Sequence, residues 1–179
     1  MSLALKPQDV VVLIKLFGYR NERPPYSAIA EDVKMSQSEV LNAVRRLRSS
    51  RLLQSVESKD VPVLDAIEEF LIHGVKYAFP AKHGSIVRGI PTSYAAEPLS
   101  KIILAGNEPI PVWPYPKGRN RGLSLLPLYK TVPEAVQNDP VLYERLALID
   151  AIRSGLTRER KLAEDALIKS LRNNGYYEH

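Results

Sequence analysis

Residues 27–54 read SAIAEDVKMSQSEVLNAVRRLRSSRLLQ. Ile29, Ala30 and Val33 predict a short helix, Lys34-Met35 breaks it, and Ser36 opens a longer one. Ser36-Gln37-Ser38-Glu39 is a capping box, in which the Ser36 hydroxyl accepts from the Glu39 amide while the Glu39 carboxylate reaches back to the Ser36 amide. Beyond the cap, Val40, Leu41, Val44 and Leu47 recur at helical spacing and predict a core-facing stripe. At about 100° per residue, Ser38, Asn42, Arg45, Arg46 and Ser49 fall on the other side. An outward face of small polar and basic side chains is therefore expected. Leu52-Leu53-Gln54-Ser55-Val56 then reads as a strand.

Upstream, Lys6-Pro7-Gln8-Asp9 reads as a helix start, with proline near the first position and an acid in the first turn. Val10 to Phe17 is apolar nearly all round, interrupted only by Lys15. Such a helix must be covered on both sides. Gly18 to Pro25 is a polar loop whose Arg20 and Arg23 can approach a phosphate backbone or remain plain loop charges. Downstream, a turn at Glu57-Ser58-Lys59-Asp60 and a strand from Asp60 to Val63 complete a small hairpin, with Lys59 the only basic residue at its tip. Pro62 to Gly74 predicts an acidic amphipathic helix stopped by Gly74.

From Val75 to Gly122 prolines and glycines punctuate the chain. Short strands are expected at Val75–Phe79 and Ile86–Val87, a helix within Ala95–Leu104, and an extended stretch at Ile110–Tyr115. Lys117-Gly118-Arg119-Asn120-Arg121-Gly122 puts three cations into a loop after Trp113-Pro114-Tyr115-Pro116. From Leu123 helices return: a short one after Pro133, one capped by Asp139 with Pro140 first, and one from Leu156 to Arg172. This helical hairpin either forms a two-fold dimer or completes the core of the monomer. The fold class expected is mainly α with small β elements: a winged helix-turn-helix over residues 1–61, a loop-rich α+β segment over 62–122 and a helical hairpin over 123–179.

The chain has 179 residues, no cysteine and three histidines, which excludes disulfides and thiol catalysis and disfavours structural zinc. Its net charge of +5 is unevenly spread, +3 over residues 1–60, −3 over 61–74, +5 over 75–122 and zero beyond. No apolar run approaches the roughly 20 residues that span a bilayer. HExxH, GxSxG, P-loop and dinucleotide fingerprints are all missing, so no enzyme, metal or cofactor is expected. Asp150 beside Arg153 and Glu68-Glu69 read as helix surface pairs.

The stretches LKPQDVVVLIKLF and YSAIAEDVKMSQSEVLNAVRRLRSSRLLQ together resemble the winged-helix domain of MarR-like transcriptional regulators. The shared pattern is a first helix, a second containing Ile29-Ala30, a Ser-capped third and Arg46-Leu47 through Leu52-Leu53 leading into the wing. It covers about the first third of the chain. The expected function is a cytoplasmic, dimeric, sequence-specific binder of double-stranded DNA. Gln37, Ser38, Asn42, Arg45 and Arg46 are the candidates for the major groove, with Asn42 suited to adenine and arginine to guanine. Arg48, Arg51 and Lys59 are the candidates for the backbone, and Lys117, Arg119 and Arg121 form a secondary basic loop. The alternative is an antitoxin-like module that neutralises a partner protein. A third reading is a ligand pocket lined by Trp113, Tyr115 and Phe79.

Overall fold

The computed structural model describes residues 3–19 and 23–173 and is mixed α/β, mainly helical, with small sheets. Three helices open it: α1 (Pro7–Gly18), α2 (Tyr26–Val33) and α3 (Gln37–Ser49). A hairpin follows, β1 (Leu53–Val56) against β2 (Lys59–Pro62), joined by the two residues Glu57 and Ser58. Every residue from Val10 to Phe17 except Lys15 is buried, because α1 packs on α2 and α3 with one side and on the C-terminal helices with the other. An all-round apolar helix is thereby covered on both sides, as its composition requires.

The capping box of α3 is present in full: Glu39 N donates to Ser36 Oγ at 3.2 Å and Ser36 N to Glu39 Oε2 at 3.2 Å. Its buried stripe, however, is rotated from the one expected. Val40, Ala43, Val44 and Leu47 are buried, whereas Leu41 is only half-buried. Arg46, one turn beyond Ala43, goes inward with it. Its guanidinium grips the fully buried carboxylate of Asp9, Nε to Oδ2 at 2.8 Å and Nη2 to Oδ1 at 2.6 Å. Asp9 also accepts from the Lys6 amide at 2.8 Å, so the same carboxylate caps α1. The outward placement expected of Arg46 is therefore corrected, and the reason is a partner 37 residues away that spacing cannot reveal.

The acidic helix does not stop at Gly74. After α4 (Leu64–Glu69) one π-helical turn (Phe70–Gly74) leads straight into α5 (Val75–Ala78), where a strand was expected. Gly74 keeps right-handed backbone angles, and Ile67, Leu71 and Val75, each one turn apart, are all buried. Burial thus carries the helix past a residue that elsewhere ends one. The acidic face is partly neutralised, with Glu68 held by Arg172 through two contacts of 2.8 Å.

The middle segment closes on itself. β3 (His83–Pro91) runs antiparallel to both β4 (Pro111–Pro114) and β5 (Asn120–Leu125), and β4 pairs in parallel with β5, so each strand touches the other two. So small a closure needs missing side chains: a Cβ on Gly89 would lie 2.0 Å from the Trp113 carbonyl oxygen, and one on Gly122 2.1 Å from that of Ile110. The helix expected within 95–104 is replaced by two single 3-10 turns, Ser93–Ala95 and Leu99–Lys101. Pro98 lies between them and has no amide to continue a ladder.

α6 (Val132–Ala135), α7 (Pro140–Ser154) and α8 (Thr157–Arg172) complete the chain. Asp139 caps α7 through the Leu142 amide at 2.9 Å. Buried side chains of α7 join those of α1, α5 and α8 in one continuous core, so the hairpin completes the monomer. Asp150 is not a surface residue: it is 1% exposed and accepts from Thr92 Oγ1 at 2.9 Å, Trp113 Nε1 at 2.6 Å and Arg153 Nη1 at 2.7 Å. Trp113 is buried with it, and the half-buried Phe79 packs edge-on against Phe70.

Replacing Arg46 with alanine strands a buried carboxylate, and the expected cost is about 3–5 kcal/mol of unfolding free energy in a urea titration. Arg45→Ala on the exposed side is expected to stay within about 0.5 kcal/mol of the parent.

Candidate nucleic-acid interface

With Arg46 turned inward, the outward side of α3 consists of Ser38, Asn42, Arg45 and Ser49. These fall within about 60° of one another around the helix axis. Ser38, Arg45 and Ser49 are exposed and Asn42 is half-buried. Arg45 Nη1 makes a long contact of 3.4 Å to Asn42 Oδ1, and among the described residues the Asn42 side-chain amide donates to nothing. Gln37 stands exposed in the first turn, and Ser38 shares a 3.0 Å hydrogen bond with Ser36. The four-residue face carries no carboxylate. That of Glu39 is occupied by the cap and by the Tyr129 hydroxyl at 2.5 Å, which holds it below the usual glutamate range.

The candidates for the backbone divide. Arg51 and Lys59 are exposed, Arg51 with a left-handed backbone (φ 59°) just past α3. Arg48 is half-exposed, but its guanidinium already holds Asp60, Nη2 to Oδ2 at 2.8 Å with a second contact from Nε to Oδ1. Asp60 belongs to β2 rather than to an exposed turn. Its carboxylate is 2% exposed and also accepts from the Tyr26 hydroxyl at 2.6 Å, while Arg23 donates to its carbonyl at 3.0 Å. This cluster fastens the hairpin to α2 and α3. Burial pushes the Asp60 carboxyl up, but the hydrogen bonds from Arg48 and Tyr26 and the charges of Arg48 and Arg23 outweigh it and hold the group below its ordinary range. Arg23 is thus committed within the chain, and Arg20 lies outside the described residues. At the hairpin tip Glu57 and Ser58 both have positive φ, 46° and 65°, the conformation of a two-residue type I′ turn.

Two cations absent from the expected set border the start of α3. Lys34 takes the left-handed position (φ 57°) that turns α2 into α3. Lys130 arrives from the C-terminal part: Tyr129 bonds Glu39, the Thr131 hydroxyl bonds the Val33 carbonyl at 2.8 Å, and Lys130 between them contributes to lowering the Glu39 pKa. These contacts bridge 90 and 98 residues. A proline-flanked Tyr-Lys-Thr carries no local sign of them.

Among the described residues no hydrogen bond or ion pair joins Lys117, Arg119 or Arg121 to α3. Lys117 and Arg119 lie on the β4–β5 connection beside a cleft of about 290 Å³ lined also by Tyr115, Asn120 and Tyr143, and Arg121 lies on β5. Comparison of the chain with family models, curated proteins and solved structures gives no match.

A carboxyl whose folded pKa is depressed adds stability above its unfolded pKa, and that stability is lost as pH falls through the folded value. Asp60 is such a group, with Asp32 and Glu39 shifted the same way. Stability is therefore expected to fall progressively below the ordinary aspartate value of 3.8. Asp60→Asn, compared by thermal melts across that range, is expected to be less stable at neutral pH and to lose less on acidification.

Proposed function

We propose that the chain is a sequence-specific DNA-binding transcriptional regulator whose first five elements act as a MarR-like winged helix-turn-helix. In this reading α3 is the recognition helix and β1–β2 the wing. The observation that carries it is the acid-free outward face of α3, where Ser38, Asn42 and Arg45 stand side by side along a helix whose start is bordered by Lys34 and Lys130. Short polar side chains near the N-terminal end of a helix can reach base edges, asparagine can pair bidentately with adenine, and arginine with guanine. Gln37, Ser38, Asn42 and Arg45 read bases, Arg51 and Lys59 bind phosphates, and Arg48 positions the wing through Asp60 while half of its side chain remains free to solvent. Arg46 reads nothing and sets the rotation of the helix.

A homodimer is the form that matches a palindromic site, with recognition helices about one duplex turn apart. The described residues include no helix long and apolar enough to cross a membrane, and we place the regulator with its DNA in the cytoplasm. An antitoxin-like interaction with a partner protein is the second reading. It is favoured by Ile102 and Leu104, 58% and 92% exposed in the loop beside the basic strands.

In a gel shift at stated salt, using the DNA just upstream of the protein's own coding region, Asn42→Ala and Arg45→Ala are each expected to cost about 1–3 kcal/mol of discrimination between that DNA and a scrambled duplex. Wild-type discrimination in both variants removes α3 from the reading.

A further inference from the structure

The register of β3 and β5 sets Arg88 directly opposite Arg121. Like charges placed directly across an antiparallel pair destabilise it. Both arginines are exposed, and among the described residues neither has an ion-pair or hydrogen-bond partner for its guanidinium. Alternation along the strands puts Arg88 and Arg121 on one face, while Gly89 and Gly122 turn to the other, against β4, and Arg119 immediately precedes β5. Lys117 stands close by, since the Tyr115 amide bonds the Arg88 carbonyl at 3.1 Å and the Gly118 amide bonds the Tyr115 carbonyl at 2.9 Å.

Acids are scarce along this part of the chain. Residues 75–122 contain only two acids, Glu97 and Glu108. Glu97 is paired with Lys101 at 2.8 Å, and Glu108 lies near Tyr94. The connection crosses β3 closely, since a Cβ on Gly118 would sit 2.2 Å from the Gly89 carbonyl oxygen. A pair of exposed planar guanidinium groups facing each other on strands about 4.8 Å apart is suited to charge-assisted bonds with phosphate oxygens.

We propose that the exposed face of the β3–β5 ribbon, centred on Arg88 and Arg121 with Arg119 and Lys117 beside them, is a second binding surface for the sugar–phosphate backbone of duplex DNA, separate from α3. The proposal rests on the DNA-binding function inferred above. Chain length permits one duplex to meet both surfaces: Tyr129 bonds Glu39 in the first turn of α3, and the eight residues from Arg121 to Tyr129 span at most about 29 Å. One duplex turn rises about 34 Å. Contacts of this kind add affinity without sequence preference.

The test is fluorescence anisotropy of the full chain with a random-sequence duplex between about 50 and 200 mM salt. Three double variants are compared with the parent: Arg88→Gln with Arg121→Gln, Arg88→Lys with Arg121→Lys, and Asn42→Ala with Arg45→Ala. The Gln pair is expected to weaken binding about tenfold and to lower the salt slope by about 2, near 0.9 per lost phosphate contact. Its melting temperature is expected to equal or exceed the parent's, since a repulsion is removed. The Lys pair is expected to keep the slope. Parent-like affinity and slope in a folded Gln pair overturns the ribbon, including the case in which isothermal titration shows these arginines binding only inorganic phosphate. That result leaves α3 standing if the Asn42/Arg45 pair still loses discrimination for the upstream DNA. Loss in the Gln pair with full discrimination in the Asn42/Arg45 pair supports the ribbon and removes α3. A parent chain that binds no duplex overturns both.

Discussion

The buried ion pair between Asp9 and Arg46 fixes how α3 is rotated on its axis, and that rotation decides which side chains the protein presents. Removing two charges from water is costly, and such a pair holds only when its geometry is close and its remaining lone pairs are satisfied. Here the guanidinium meets the carboxylate through two contacts of 2.8 and 2.6 Å, and the Lys6 amide supplies a third donor. With Arg46 held inward, Asn42 sits about 40° further round the helix, half-covered, and Ser49, Ser38 and Arg45 follow into solvent. A helix turned by one residue would bury Asn42 or Arg45 instead. The pair therefore acts on the outward face without belonging to it.

A second constraint joins the two ends of the chain. α1 is too apolar to have a solvent side, and α7 covers what α2 and α3 leave open. Lys15, the one charge in its apolar run, marks the seam: its ammonium bonds Asp139, the cap of α7, at 2.8 Å and Asp32 of α2 at 3.0 Å. Tyr129 and Thr131 add a clamp at the turn between α2 and α3. The C-terminal helices thus hold the N-terminal unit in place as well as completing its core. Asp150 plays the corresponding part for the strands, tying Thr92 and Trp113 to α7.

What the sequence made legible was local. The Ser36 capping box and the Asp139 cap with Pro140 follow from residues within one turn of each other and are present, and the hairpin forms with a two-residue turn, Glu57-Ser58, where the four residues Glu57 to Asp60 were expected. What it hid was long-range. The apolar stripe of α3 predicts Leu41 inward and Arg46 outward, and only Asp9 reverses that. Gly74 predicts a stop, and only burial of Val75 carries the helix past it. Asp60 reads as a turn residue until Arg23, Tyr26 and Arg48 converge on it. Of the groove candidates that periodicity set on the outward face, Ser38 and Arg45 are exposed and Asn42 is half-buried there, whereas Arg46 is turned inward. The opposed arginines of β3 and β5 were invisible because pairing register is a property of the closed three-strand unit.

In the proposed function the Ser38, Asn42, Arg45 and Ser49 side of α3 is the surface that meets duplex DNA. The chain contains no cysteine, so single thiols can be placed without background. Ser38→Cys, Arg45→Cys and Ser49→Cys on α3, with Lys161→Cys on exposed α8 as reference, are to be labelled by a maleimide with and without saturating duplex. Rapid labelling is expected at all four positions in the free protein, with marked slowing by duplex at the three on α3 alone. Labelling of the α3 thiols unchanged by duplex, or slowed no more than at position 161, would contradict that function.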